Sequence, residues 1–134
     1  MELKAEGFDN FLQNRTGLVT DPYFSGTKMR WILKNIPEAL KLSKKGDLCF
    51  VTVDSWLIWK LTGGQMHLTD ISNASRTLVF NIKYCDWDDE ILSRFEIPRE
   101  TLPEVKPSSS YIADINPKLF GGESPIAGIA GDQQ

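Results

Sequence analysis

The residues of this chain best suited to chemistry stand at its end. Ser124 to Ala130 is a small, apolar run that reads as a buried strand, and it closes on Gly131-Asp132-Gln133-Gln134. Ligands of α/β sheets gather at the carboxyl ends of strands, so Asp132 is placed like an active-site carboxylate. Taken alone, a Gly-Asp pair is more often a turn. A second group is Asp21-Pro-Tyr-Phe-Ser-Gly-Thr-Lys28. It reads as a turn, an aromatic pair and a helix start, in which Tyr23 offers either a hydroxyl to a ligand or a ring to the core. The remaining candidates are weaker. His67 is the only histidine and suits a surface or packing role. Cys49 and Cys85 lack the close spacing of a metal site or disulfide framework and read as free thiols. Trp56 and Trp59, on one helix, read as core residues rather than a stacking platform. Lys41, Lys44 and Lys45 read as a solvated helix end.

The elements that must hold these groups alternate between strand and helix, so the class is α/β. Phe8, Phe11 and Leu12 predict a short amphipathic helix, and Asn14 to Phe24 a loop. Ser25 is a cap candidate for a helix whose stripe is Met29, Ile32, Leu33 and Ile36. Pro37 starts a further helix to about Lys44, closed by Gly46. Leu48 to Val53, rich in β-branched residues, reads as a buried strand. Asp54 then caps a helix that stops at Gly63-Gly64. Met66 to Ile71 is a short strand, and Leu78 to Phe80 a short apolar run. Asp86 to Phe95 is a helix opened by acidic residues. Pro98 and Pro103 bracket a turn, and Val105 to Asp114 is extended. That gives few strands for a complete sheet, as though the first strands of the domain lay elsewhere.

Composition narrows the function classes. The 134 residues suffice for one domain, with 41% hydrophobic and 25% charged residues and a net charge of −3. The acidic balance argues against nucleic acid. No apolar run reaches the ~20 residues of a membrane span, and the N-terminus has no signal-peptide pattern, so the cytoplasm is expected.

Several blocks, in order, resemble the FGGY carbohydrate kinases. Tyr23, Ser25, Lys28, Trp31 and Asn35 stand at the spacing of that family's helix signature. Thr16-Gly-Leu-Val19, Thr52-Val-Asp-Ser-Trp-Leu-Ile-Trp-Lys-Leu61, Asn73-Ala-Ser-Arg-Thr77 and Asp86-Trp-Asp-Asp89 extend the likeness. Ile97-Pro-Arg-Glu-Thr-Leu-Pro-Glu-Val105 and Gly128-Ile-Ala-Gly-Asp-Gln-Gln134 complete it, and the wording is similar to the branch that phosphorylates glycerol.

The resemblance implies a partial RNase H-like domain of the actin-like ATPase superfamily, an incomplete sheet flanked by helices. Residues 1–134 would be the later portion of the family's N-terminal, substrate-binding domain, without the second, nucleotide-binding domain. The implied reaction is transfer of the γ-phosphoryl group of ATP, with Mg²⁺, to a terminal hydroxyl of glycerol. Asp132 aligns with the catalytic carboxylate that accepts the hydroxyl proton, and it also binds substrate. Tyr23 and Gln133 align with substrate contacts. No cofactor-binding or metal-binding residue is implied within these residues, so the chain by itself is expected to lack turnover. The family's homodimers or homotetramers imply an oligomeric parent, and exposed sheet edges imply that the fragment associates with itself. Glu123 stands where some members carry an arginine for fructose 1,6-bisphosphate, and Lys118 where others carry a phosphorylated histidine. A carboxylate repels phosphate, so neither control is expected. The alternatives are a non-catalytic interaction module descended from such a kinase, or a fragment of a kinase for another sugar.

Overall fold

The computed structural model describes residues 7–133. The first half carries α1 (Phe8–Thr16), α2 (Ser25–Asn35), α3 (Pro37–Lys45), α4 (Val53–Leu61), β1 (Leu68–Asp70) and α5 (Ile71–Ala74). There follow β2 (Phe80–Asn81), β3 (Asp86–Trp87), α6 (Asp89–Phe95), a 3₁₀ turn at Arg99–Thr101, β4 (Glu104–Lys106), β5 (Ser109–Asp114), α7 (Pro117–Phe120) and β6 (Pro125–Gly128). Among the described residues the strands form pairs: β1 with β4 in parallel, β2 with β3 and β5 with β6 antiparallel. The chain divides into two compact units, Met1–Leu48 with Ala74–Thr101 and Cys49–Asn73 with Leu102–Gln134.

The first unit is mostly helical. Phe8 and Leu12, one turn apart on α1, are buried, and the helix runs a turn further than its apolar residues predict. It ends at Gly17, whose φ of 73° is the left-handed conformation that glycine adopts without strain. Ser25 does not cap α2. It is the first helical residue, and Phe24 holds the cap position without a side-chain bond. The reason is a backbone tether: the Gly26 N–H donates to the Thr77 carbonyl at 2.7 Å. Met29 and Leu33 of the predicted stripe are buried, whereas Ile36 is exposed. Pro37 occupies the first turn of α3, where its missing N–H costs no bond. Phe80 pairs with Trp87 across the β2–β3 hairpin, ring edge to ring face at 5.8 Å. Asp86 and Trp87 thus belong to a strand, not to the predicted helix. The next carboxylate, Asp88, caps α6 by accepting from the Glu90 and Ile91 amides.

The second unit is built on Ile58, Leu68, Ile112 and Ala113, with Met66, Ile126 and Ile129 packed against them. Here two expectations fail. Leu48 to Thr52 forms no strand: no ladder partner lies beside it among the described residues, and Val53 already begins α4. Phe50 is buried, but Cys49 is exposed. The Phe50 carbonyl is bound by the His67 ring nitrogen at 2.8 Å, which gives that histidine a structural partner. The run that ends the chain is not buried either. Among the described residues β6 has one partner, and only Ile126 of its residues turns inward; Ala127 and Gly128 are exposed. Its small residues suit an edge that packs on one face.

Local chemistry adjusts other expectations. Asp54 is not the cap of α4, which is Thr52; the Asp54 carboxylate instead accepts from the Thr69 hydroxyl at 2.6 Å. Trp56 stands 48% exposed, so it is not core, and the Lys60 ammonium lies over its ring at 4.8 Å. Pro107 interrupts the expected extended run and separates β4 from β5. Lys118 lies in α7, whose cap is the Asn116 side chain.

Candidate functional site

Asp132 follows β6 in the second unit, and the segment that carries it is fastened by two backbone amides. The Ile129 N–H donates to the Ser108 carbonyl at 2.9 Å. The Gly131 N–H donates to the Ser72 hydroxyl at 2.7 Å. Asp132 and Gln133 then form a turn with both side chains exposed. A solvent-facing carboxylate on a tethered backbone can orient a hydroxyl and accept its proton.

Behind this turn lies a buried carboxylate that the sequence reading passed over. Asp70, the last residue of β1, is wholly buried. Its Oδ2 accepts from the Ser72 N–H at 3.0 Å and from the Ser72 and Ser108 hydroxyls, each at 2.6 Å. Its Oδ1 accepts from the Asn73 amide at 3.1 Å and the Asn73 side chain at 2.7 Å. Burial alone would raise its pKa, but the hydrogen bonds from Ser108, Ser72 and Asn73 outweigh burial and hold it below the ordinary carboxylate value. The signal was present in the sequence: Asp70-Ile-Ser-Asn73 places serine and asparagine two and three residues beyond an aspartate, the pattern of an Asx turn opening a helix.

Tyr23 belongs to the first unit and sits on an Asx turn, its N–H donating to the Asp21 carboxylate at 2.7 Å. Its ring meets Phe24 edge-on at 5.4 Å, and the Lys28 ammonium donates to its carbonyl at 2.9 Å. The side chain is 74% exposed, so its hydroxyl faces solvent rather than the core. Trp31 is also exposed and, with Pro22, Thr27, Lys28 and Ile32, lines a shallow apolar depression. Glu123 and Lys118, the positions singled out for regulation, are both exposed.

Among the described residues no group of three or more His, Cys, Asp or Glu could hold a metal ion. Gly17, Gly46 and Gly121, each at positive φ, close α1, α3 and α7.

The sequence model for the N-terminal domain of the FGGY family of carbohydrate kinases matches residues 1–134, and the chain belongs to that family. Its fold is that of the family's actin-like ATPase class. Glycerol kinases are among its similar curated relatives. That of Koribacter versatilis (strain Ellin345) is 57% identical over 133 residues, covering 99% of this chain and 27% of the relative. That of Listeria welshimeri is 54% identical over 134 residues, with 99% and 27% covered. Among solved structures, Plasmodium falciparum glycerol kinase with ADP superposes with a TM-score of 0.91 at 32% identity, covering 98% of this chain and 26% of that one. Gluconate kinase from Lactobacillus acidophilus gives 0.80 at 27% identity, with 98% and 26% covered. The chain thus spans little more than a quarter of the length of its curated relatives.

Proposed function

We propose that this chain is a segment of a glycerol kinase, supplying the acceptor side of an ATP-dependent phosphorylation of glycerol to sn-glycerol 3-phosphate. The observation that carries the reading is the 54–57% identity to glycerol kinases across almost the whole chain. Asp132 orients the terminal hydroxyl and accepts its proton as the oxygen attacks. Tyr23 offers its phenol and Gln133 its amide to the polyol. In such a reaction ATP and Mg²⁺ supply the phosphoryl group and its charge neutralisation. We assign both to other parts of the parent protein. The segment corresponds to the later portion of the substrate-binding domain, and the parent works in the cytoplasm. No helix among the described residues is long and apolar enough to cross a membrane.

The test is a chimera in which these 134 residues replace the matching stretch of the Listeria enzyme. Glycerol-dependent ADP formation is expected, and D132N should lower kcat by about 10²–10⁴-fold, the usual worth of a general base. Preference for gluconate or xylulose, or a D132N chimera with parental kcat, overturns the reading. The 134-residue chain by itself should show no glycerol-dependent ATP turnover.

A further inference from the structure

Asp70 makes more bonds than the capping of α5 requires. A helix of one turn needs an acceptor for its first amides, which the Ser72 and Asn73 N–H groups find on Asp70. The Ser108 hydroxyl, 38 residues away in sequence, serves no cap, yet donates to the same Oδ2 as the Ser72 hydroxyl. A hydroxyl has one hydrogen to give. Ser72 gives its hydrogen to Asp70, so its oxygen meets Gly131 only as an acceptor, at 2.7 Å across 59 residues of sequence. Ser108 is joined to the same end segment through its carbonyl, which takes the Ile129 N–H at 2.9 Å. One buried carboxylate therefore lies behind both fastenings of the segment that presents Asp132.

We propose that Asp70 and Ser72 are positioning residues for Asp132: the Asp70 carboxylate aims the Ser72 hydroxyl, and that hydroxyl fixes the Gly131 amide and the backbone bearing the base. The inference rests on the reading of Asp132 as the base. It goes beyond that reading by assigning a positioning role to residues behind the base. Ser72 is the sharper element, because its oxygen joins the α5 turn directly to Gly131. Small misplacements of a reacting group cost up to about 10²-fold in rate.

The experiment uses the full-length chimera with S72A, S72T, S108A, D70N and D132N, each followed by kcat, KM for ATP and thermal unfolding. S72A should lower kcat about 10–100-fold with KM for ATP within about twofold. S72T, which keeps the hydroxyl, should restore kcat to within about threefold of the parent. S108A removes a donor to Asp70 but leaves the Gly131 bond, so it should lose stability while keeping kcat within about threefold. D70N should resemble S72A in kcat, a second readout if S72A folds poorly. Equal kcat losses in S72A and S108A, or a loss in S72A that S72T does not rescue, overturn the proposal while leaving Asp132 in its role. Parental activity in D132N instead removes the reading on which the proposal stands, and the proposal with it.

Discussion

Replacing Asp88 tests whether the first unit is held by one carboxylate with two separable tasks. Asp88 Oδ1 accepts from the Glu90 and Ile91 amides at 3.1 and 3.0 Å, capping α6. Oδ2 accepts from the Asn81 side-chain amide at 2.7 Å, and Arg15 Nη1 reaches both oxygens at 3.1 and 3.0 Å. The D88A variant loses all of these bonds. A lost cap costs about 1 kcal/mol. Asn81 is 2% exposed, and its orphaned donor adds about 1–3 kcal/mol. The Arg15 side chain is 32% exposed and keeps Glu90 as a partner at 2.6 Å, so the broken ion pair adds only about 0.5 kcal/mol. Together these give about 2.5–4.5 kcal/mol for D88A. In D88N one carbonyl oxygen remains for the cap, but the new NH₂ faces the donor of Asn81. Asn81 cannot turn freely to meet it, because its own Oδ1 accepts from the Lys83 N–H at 2.9 Å. D88N should therefore cost about 2–3 kcal/mol, roughly the cap less than D88A. Urea unfolding of the 134-residue chain, read by tryptophan emission, measures both at constant slope. A D88A loss below about 1 kcal/mol, or equal losses in the two variants, refutes the two-task account.

Four further outcomes are expected. Asp70 and Asp88 both titrate below the ordinary carboxylate value, in each case because hydrogen bonds outweigh the opposing effect of burial. Their stabilisation is therefore fully present above about pH 4–5 and is lost as pH falls through their folded values; urea midpoints should be flat near neutrality and drop below about pH 4, less steeply in D70N or D88N. G26A should lower stability by about 1–3 kcal/mol, because its new methyl would stand 2.8 Å from both the Thr77 carbonyl and a Val79 methyl; an unchanged melting temperature contradicts that packing. In the chimera, Y23F should raise KM for glycerol about 2–10-fold at an unaltered melting temperature, since the phenol is exposed and only its hydroxyl is removed. Both cysteines are exposed and free, so a thiol reagent should titrate Cys49 as readily as Cys85 in the native chain; protection of Cys49 alone would restore the buried-strand reading.

Sequence pattern revealed most where structure is local. The proline that opens α3 and the glycine that closes it act within one or two turns and are found where their chemistry places them, and the α2 stripe holds at Met29 and Leu33 though not at Ile36. It failed where the outcome depends on a distant partner. Leu48 to Thr52 has the composition of a strand, but a strand also needs a neighbour, and composition does not supply one. The small residues of β6 are as compatible with an exposed edge as with a core, and pairing with β5 decides the matter. At the site, the carboxylate after an apolar run was legible, as was the turn at Asp21-Pro22, but whether Tyr23 faces solvent or core was not. The joint behind Asp132 was not, because Asp70, Ser72, Ser108 and Gly131 meet only through tertiary contacts.

The two units are interleaved along the chain, which passes from one to the other after Leu48, after Asn73 and after Thr101. A cut after Asn73 divides both units, whereas a cut after Leu48 divides only the first and a cut after Thr101 only the second. Synthesis from the N-terminus also sets an order. The first unit has all its residues once Thr101 has emerged, whereas β1 of the second waits for β4, with the whole closing stretch of its neighbour inside the intervening loop. Closing such a loop carries an entropic cost that grows only slowly with its length, and that cost falls if the intervening stretch is already folded. The order of the segments thereby completes the residues of the first unit before those of the second.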